Sequence, residues 1–211
     1  MDTELAAEIG QETAKEYRAA GVNALLGPQV DIASPIMSRS GGTYGEDPQL
    51  TLDIATAYIN GMQSTYDENG EDLGWGDESV YCFTKHFSGD GSTEGGRDDH
   101  ANGGRYAVFP GNNLEAHLIT FFDGAFNLPG KTGIMTQYGI DVDADGNPYG
   151  GEWAGAYNTY LNGMLDEAGF EGLKITDWGV YQFAGVWGAE DLEEADRIAT
   201  SWENGVNLLG G

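Results

Sequence analysis

An α/β fold, built as about five βα units of a partial (β/α)8 TIM-barrel-like domain, is the architecture this sequence predicts, and three observations carry it. Helix-period and strand-like segments alternate along the 211 residues, in the order αβαβαβαβαβ, which marks a parallel sheet with crossover helices. The links from helix to strand are short, AGV and AGFEG, whereas those from strand to helix run to about 20 residues or more. The residues with chemical potential fall in those long links, and in a barrel the long βα loops form the functional face.

The elements follow in order. Residues 3–20 form the first predicted helix, with Leu5, Ile9 and Tyr17 on one face, and VNALL (22–26) is the first strand. A helix over 48–63 leads to VYCFTK (80–85), and one over 113–127 to GIMTQY (133–138). A helix over 153–168 precedes LKITDW (173–178). The last helix, 191–204, places Leu192, Ala195, Ile198 and Trp202 on a stripe before VNLLGG (206–211). Five strands do not close a barrel of eight, so residues 1–211 read as one domain, an incomplete one, that continues in flanking segments.

Composition limits what such a domain does. With 40% hydrophobic residues the chain can bury a core. Its 35 acidic residues face 9 Lys and Arg, a formal net charge of −26. Nucleic acid and anionic membrane surfaces repel such a chain, so neither is an expected partner. The acid is dispersed, as on the solvated surface of a protein from a salty environment or of a secreted enzyme. Cys82, the only cysteine, excludes an internal disulfide and sits in VYCFTK as a small core residue. No run of about 18 apolar residues spans a membrane, and the acidic, amphipathic N-terminal segment is not a signal peptide.

Asp177 is the most informative residue. It ends the buried-looking run LKITD, where an unpaired charge costs several kcal/mol. It is either a nucleophile mounted on a strand end or an aspartate capping the next helix. Trp178, beside it, suits stacking on a sugar ring or packing in the core. Lys85 and His86 end another strand, where both can reach one ligand or pair with the abundant acids. Lys85 also allows Schiff-base chemistry, although neighbouring acids disfavour the neutral amine it needs.

DVDADGNPYGGE (141–152) matches the calcium-loop pattern, with Asp141, Asp143, Asp145 and Glu152 in ligand places and Gly146 at the turn. Its flanks differ, with a strand before it and Pro148 inside it, so an acidic turn and a structural calcium site both stand open. The Gly-rich stretch 91–112 lacks the Lys-Ser/Thr ending of a phosphate loop.

Taken together, AAGVNALLGPQVDIASP, SRSGGTYGEDP, TKHFSGDG, IMTQY, DEAGFEGLKITDWG and NGVNLLGG resemble, in family order, the N-terminal barrel domain of glycoside hydrolase family 3, which includes many β-glucosidases. The resemblance implies a retaining, exo-acting β-glycosidase working through a covalent glycosyl-aspartate, with a carbohydrate substrate and no required cofactor. It implies Asp177 as nucleophile, and Arg39, Lys85, His86, Tyr138 and Trp178 as sugar-binding residues. It places the acid/base and the aspartate for the distal hydroxyls outside this chain, in flanking barrel segments and a C-terminal domain, and suggests an extracellular or periplasmic protein. Departures from the family pattern are PIMSR before Arg39, Gly42 where a glutamate is frequent, and Asp90 where the N-acetylglucosaminidase branch carries a histidine. The competing readings are a Schiff-base lyase and a non-catalytic carbohydrate- or calcium-binding module.

Overall fold

The computed structural model describes residues 2–128, 132–183 and 185–211. Four strands form one parallel sheet in chain order: β1 (Ala24–Leu25), β4 (Tyr81–Phe87), β6 (Gly133–Thr136) and β8 (Lys174–Ile175). A parallel bridge from Ile175 to Leu208 adds the last predicted strand at the growing edge. Each new strand lies beside the one before it, as staves do in a barrel, and the predicted partial (β/α)8 domain is what the chain forms. The other strands, β2 (Thr65–Tyr66), β3 (Asp72–Gly74), β5 (Tyr106–Val108) and β7 (Ile140–Val142), lie outside that sheet.

Side-chain alternation explains why these runs carry apolar residues at consecutive positions. On β6, Ile134 packs with Phe87, Phe121, Leu161 and Leu165 under the helices, whereas Met135 joins Phe83 and Ile175 on the other face. A strand buried on both faces reads as a continuous hydrophobic run, as parallel strands do.

The helices are α1 (Thr3–Ala19), α2 (Pro48–Gln63), α3 (Leu114–Ile119), α4 (Thr159–Glu167) and α5 (Glu194–Glu203). Asp2 starts α1 by accepting from the backbone N–H groups of Glu4 and Leu5. Asp47 does the same for Leu50 at the start of α2, with Pro48 in the first turn. Helices α1 and α2 meet through glycines: a Cβ on Gly61 would lie 2.2 Å from the Ala7 carbonyl oxygen, and one on Gly10 2.3 Å from that of Tyr58. Gly61→Ala is therefore expected to destabilise the fold by about 1–3 kcal/mol, despite alanine's better helix propensity, because only separating the helices relieves a clash with backbone. Urea unfolding measures it, and a more stable variant would show that the crossing is not close.

The strands expected at 22–26 and 173–178 shorten to β1 and β8, and three further elements differ. The helix expected over 113–127 holds α-geometry only to Ile119 and continues as a π-turn (Thr120–Gly124) and a 3-10 turn (Ala125–Asn127). Gly124 packs there against α2, where a Cβ would stand 2.5 Å from Leu52 Cδ1 and Thr56 Oγ1. The helix expected from 153 starts at Thr159, because Asn158 caps it through the N–H groups of Tyr160 and Leu161. The strand at 206–211 contracts to the bridge at Leu208.

Two features were not expected. One is the β2–β3 hairpin, turned by Asp67, whose carboxylate accepts from the N–H groups of Asn69 and Glu71. The other is a parallel pair, β5 with β7, formed between two long βα loops. Tyr138, Ile140, Val142, Tyr157, Val180 and Trp187 make a second core beneath it. The functional face is thereby a packed layer rather than loose loops.

Candidate active site

Asp177 emerges two residues beyond β8, after the fully buried Thr176. Its Oδ1 accepts from the Trp178 N–H at 2.6 Å, and its Oδ2 lies 3.3 Å from His86 Nε2. The Tyr138 hydroxyl donates to the Trp178 carbonyl at 2.7 Å and stands beside the same carboxylate. Burial alone would raise the pKa of Asp177. The imidazole of His86 beside it, the Trp178 N–H and Tyr138 outweigh it, and the carboxyl lies below its ordinary value. Three strand ends thus converge on one ionised carboxylate.

His86 is buried at the end of β4, and the backbone of that strand end is gripped by the segment after β1: Val30 N–H donates to the Lys85 carbonyl at 2.7 Å and Lys85 N–H to that of Pro28 at 3.1 Å. The Lys85–His86 and Phe87–Ser88 peptide bonds are cis. His86 Nδ1 faces Asp31 Oδ2 at 2.9 Å and Asp90 Oδ2 at 3.5 Å. Burial works against its charge, but Asp31, Asp177 and Asp90 hold its pKa up at about 10. Asp31 is held below the ordinary carboxylate range: burial opposes its charge, and His86 and its other donors overcome that.

Behind this line lie further buried acids. Burial and the charges of Asp99 and Asp31 push Asp90 well above its ordinary value, and burial raises Asp99 as well. The two carboxyls interact, which favours the proton on Asp90 and the charge on Asp99. Asp141 is fully buried, bonded by Ser88 Oγ and Gln137 Nε2, and raised by burial to about 7.

The structure gathers most of the sequence-predicted residues. Half-buried Arg39 lies among Asp90, Asp98 and Asp99, and its charge reaches Tyr138. Lys85 is half-buried next to His86. Trp178 is 44% exposed, and its ring lies along Gly210 and Gly211. The proposed calcium ligands are not gathered. Asp141 turns inward to Ser88 and Gln137, and Asp143 closes a turn on Asn147 and the Asp145 N–H. Glu152 points to Tyr106 and Arg105. Among the described residues, the acids and histidines close enough to share an ion are Asp31, His86 and Asp90, and Asp98, Asp99 and His100. The first group is accounted for by its own hydrogen bonds.

Sequence reasoning missed Asp31, Asp99 and His100. His100 pairs with Asp98, and its ring packs on Tyr138 with centroids 4.3 Å apart. The signal for Asp31 was present: an acid inside the apolar run QVDIA, as Asp177 is inside LKITD and Asp141 inside GIDV.

The fold and the site define an α/β-barrel domain that mounts an ionised carboxylate against a buried histidine at its strand ends. The chain belongs to glycosyl hydrolase family 3: the model of that family's N-terminal domain matches residues 1–209. It is 37% identical to probable β-glucosidase C of Aspergillus flavus, over 97% of this chain and 32% of that protein. It is 35% identical to a periplasmic β-glucosidase/β-xylosidase of Dickeya chrysanthemi, over 100% of this chain and 34% of that protein. It thus spans about a third of the length of these relatives. Among solved structures it is similar to a β-glucosidase of Erythrobacter marinus, with 26% identity and a TM-score of 0.76 over 99% of this chain and 26% of that one. Among the described residues no helix is long and apolar enough to cross a membrane.

Proposed function

We propose that this chain carries the nucleophile and half of the sugar site of a retaining, exo-acting β-glycosidase that removes terminal sugars. The observation that carries the proposal is the ionised state of Asp177 at a strand end against His86, on the face formed by the βα loops. The carboxylate attacks the anomeric carbon, the bond to the leaving oxygen breaks as an acid protonates it, and a glycosyl ester forms. Water then attacks the ester, gives a proton to the same group and frees the carboxylate. The acid/base, about 5–5.5 Å from the nucleophile in a retaining enzyme, comes in this reading from residues beyond these 211, as does the aspartate for the distal hydroxyls. The one-third coverage of the relatives supports that division.

Arg39 and Lys85 bind sugar hydroxyls, buried His86 serves the site by keeping Asp177 ionised rather than by a free N–H, Tyr138 holds the backbone after the nucleophile, and Trp178 offers an apolar wall. The names of the relatives favour a β-glucoside or β-xyloside, and that of the Dickeya relative a periplasmic location.

An activated 2-deoxy-2-fluoro glucoside tests the reading, because its leaving group needs no acid assistance. Intact-mass spectrometry should show the chain gaining one fluoroglycosyl group, located by peptide mapping to Asp177. A label on another residue would overturn the assignment.

A further inference from the structure

We propose that Asp31 is the positioning residue of this site: it fixes the ring of His86 with an N–H at each end, one held by Asp31 and the other turned to Asp177. Its consequence for chemistry rests on the glycosidase reading, but its geometry does not.

Asp31 is fully buried in the segment after β1. A carboxylate offers about four acceptor sites, and all are used here. Oδ1 accepts from the backbone N–H groups of His86 at 3.0 Å and Asp90 at 2.8 Å. Oδ2 accepts from Gln29 Nε2 at 2.8 Å and from His86 Nδ1 at 2.9 Å. Asp31 therefore grips the backbone and the ring of the same histidine, and the ring has one orientation.

The other ring nitrogen fixes the charge. Nε2 is buried and makes no hydrogen bond, but it lies 3.3 Å from Asp177 Oδ2, within ion-pair reach, and a carboxylate only accepts. Neutral imidazole carries a single N–H, so a ring with carboxylates at both ends satisfies them only as imidazolium. The groups facing it are Asp31 after β1, Asp90 after β4 and Asp177 after β8, with Asp99 behind Asp90. Asp90 is pushed above its ordinary value while Asp31 and Asp177 are held below theirs, so those two are the anions beside the ring. The raised pKa of His86, about 10, agrees. Without Asp31, burial would neutralise His86, and the desolvated Asp177 would lose the partner that keeps it ionised. Asp31 thus sets the protonation of the nucleophile without reaching the sugar.

The chain has three histidines, so 15N imidazole spectra of the 211-residue protein are readily assigned with single His100 and His117 replacements. In the unaltered chain His86 should be doubly protonated at neutral pH. A singly protonated ring would overturn the proposal without recourse to any variant, which covers the case of an Asp31→Asn chain that does not fold. In folded Asp31→Asn, His86 should titrate near or below its ordinary value of 6.5. Fluoroglucoside labelling at mildly acid pH should slow about tenfold or more, with its acid limb moved to higher pH. Gln29→Leu, which removes one donor, should shift both readouts the same way by less. An unchanged His86 titration in a folded Asp31→Asn chain would sink the proposal even if labelling persists. The expected spectra in a chain that never labels would uphold it, and would remove the glycosidase reading once a chain extended at both ends also failed to label.

Discussion

Asp177→Asn is expected to slow covalent capture of an activated fluoroglycoside by roughly a thousandfold or more, the scale on which loss of a single nucleophile or base registers in enzymes. The substitution separates the two readings left open by the sequence. Asparagine equals aspartate as a helix cap and turn former, so a capping Asp177 would lose almost nothing. The amide keeps an oxygen for the Trp178 N–H, now 2.6 Å from Oδ1. What it lacks is the lone-pair charge that attacks carbon. The fold should survive: His86 loses its partner at 3.3 Å but keeps Asp31 at 2.9 Å, a loss of about 1–3 kcal/mol in melting experiments. Labelling at an unchanged rate in a folded Asp177→Asn chain would remove Asp177 from the chemistry.

The order of strands was legible because parallel strands buried on both faces announce themselves as apolar runs, and GIMTQY and VYCFTK became β6 and β4 within two residues. The strand ends carried the site for the same reason: an acid or a Lys-His pair after such a run has few structural explanations. What escaped was non-local. The β5–β7 pair joins residues more than thirty positions apart, Tyr106 to Ile140, through short segments with no periodicity to read. The calcium-loop pattern illustrates the converse. Its spacing is local, but the direction of Asp141 is set by Ser88 and Gln137, which belong to other strand ends. Of the supporting shell, Asp31 left a signal in its apolar run, whereas Asp99 and its pairing with Asp90 were hidden because acids are common in this chain, and only burial tells a network from a solvated surface.

That buried shell also governs stability. Melting temperature should peak at mildly acid pH and fall as pH rises toward and past neutrality. A carboxyl whose folded-state pKa lies above its unfolded value keeps its proton after the unfolded chain has released it, so stability declines with pH between the two. For Asp141 that interval runs from 3.8 to about 7 and is worth about 4 kcal/mol. Burial is the main cause, and the donors Ser88 and Gln137 only partly oppose it. The Asp90–Asp99 pair, also raised, acts in the same direction. His86 extends the decline, since its stabilisation is complete below 6.5 and lost as pH climbs toward about 10. On the acid side, Asp31 and Asp177 have lowered values, so their stabilisation is present above 3.8 and lost as pH falls through their folded-state pKa. Asp141→Asn makes the assignment testable, because an amide cannot ionise. At acid pH the variant should be less stable than the parent by about 1 kcal/mol, having given up part of the Ser88 and Gln137 pairing. Above neutrality it should be the more stable of the two, where the parent bears a buried charge. Melting curves that cross in this way would place the ionisation at Asp141, whereas curves that run parallel at every pH would assign the decline to His86 and the other acids.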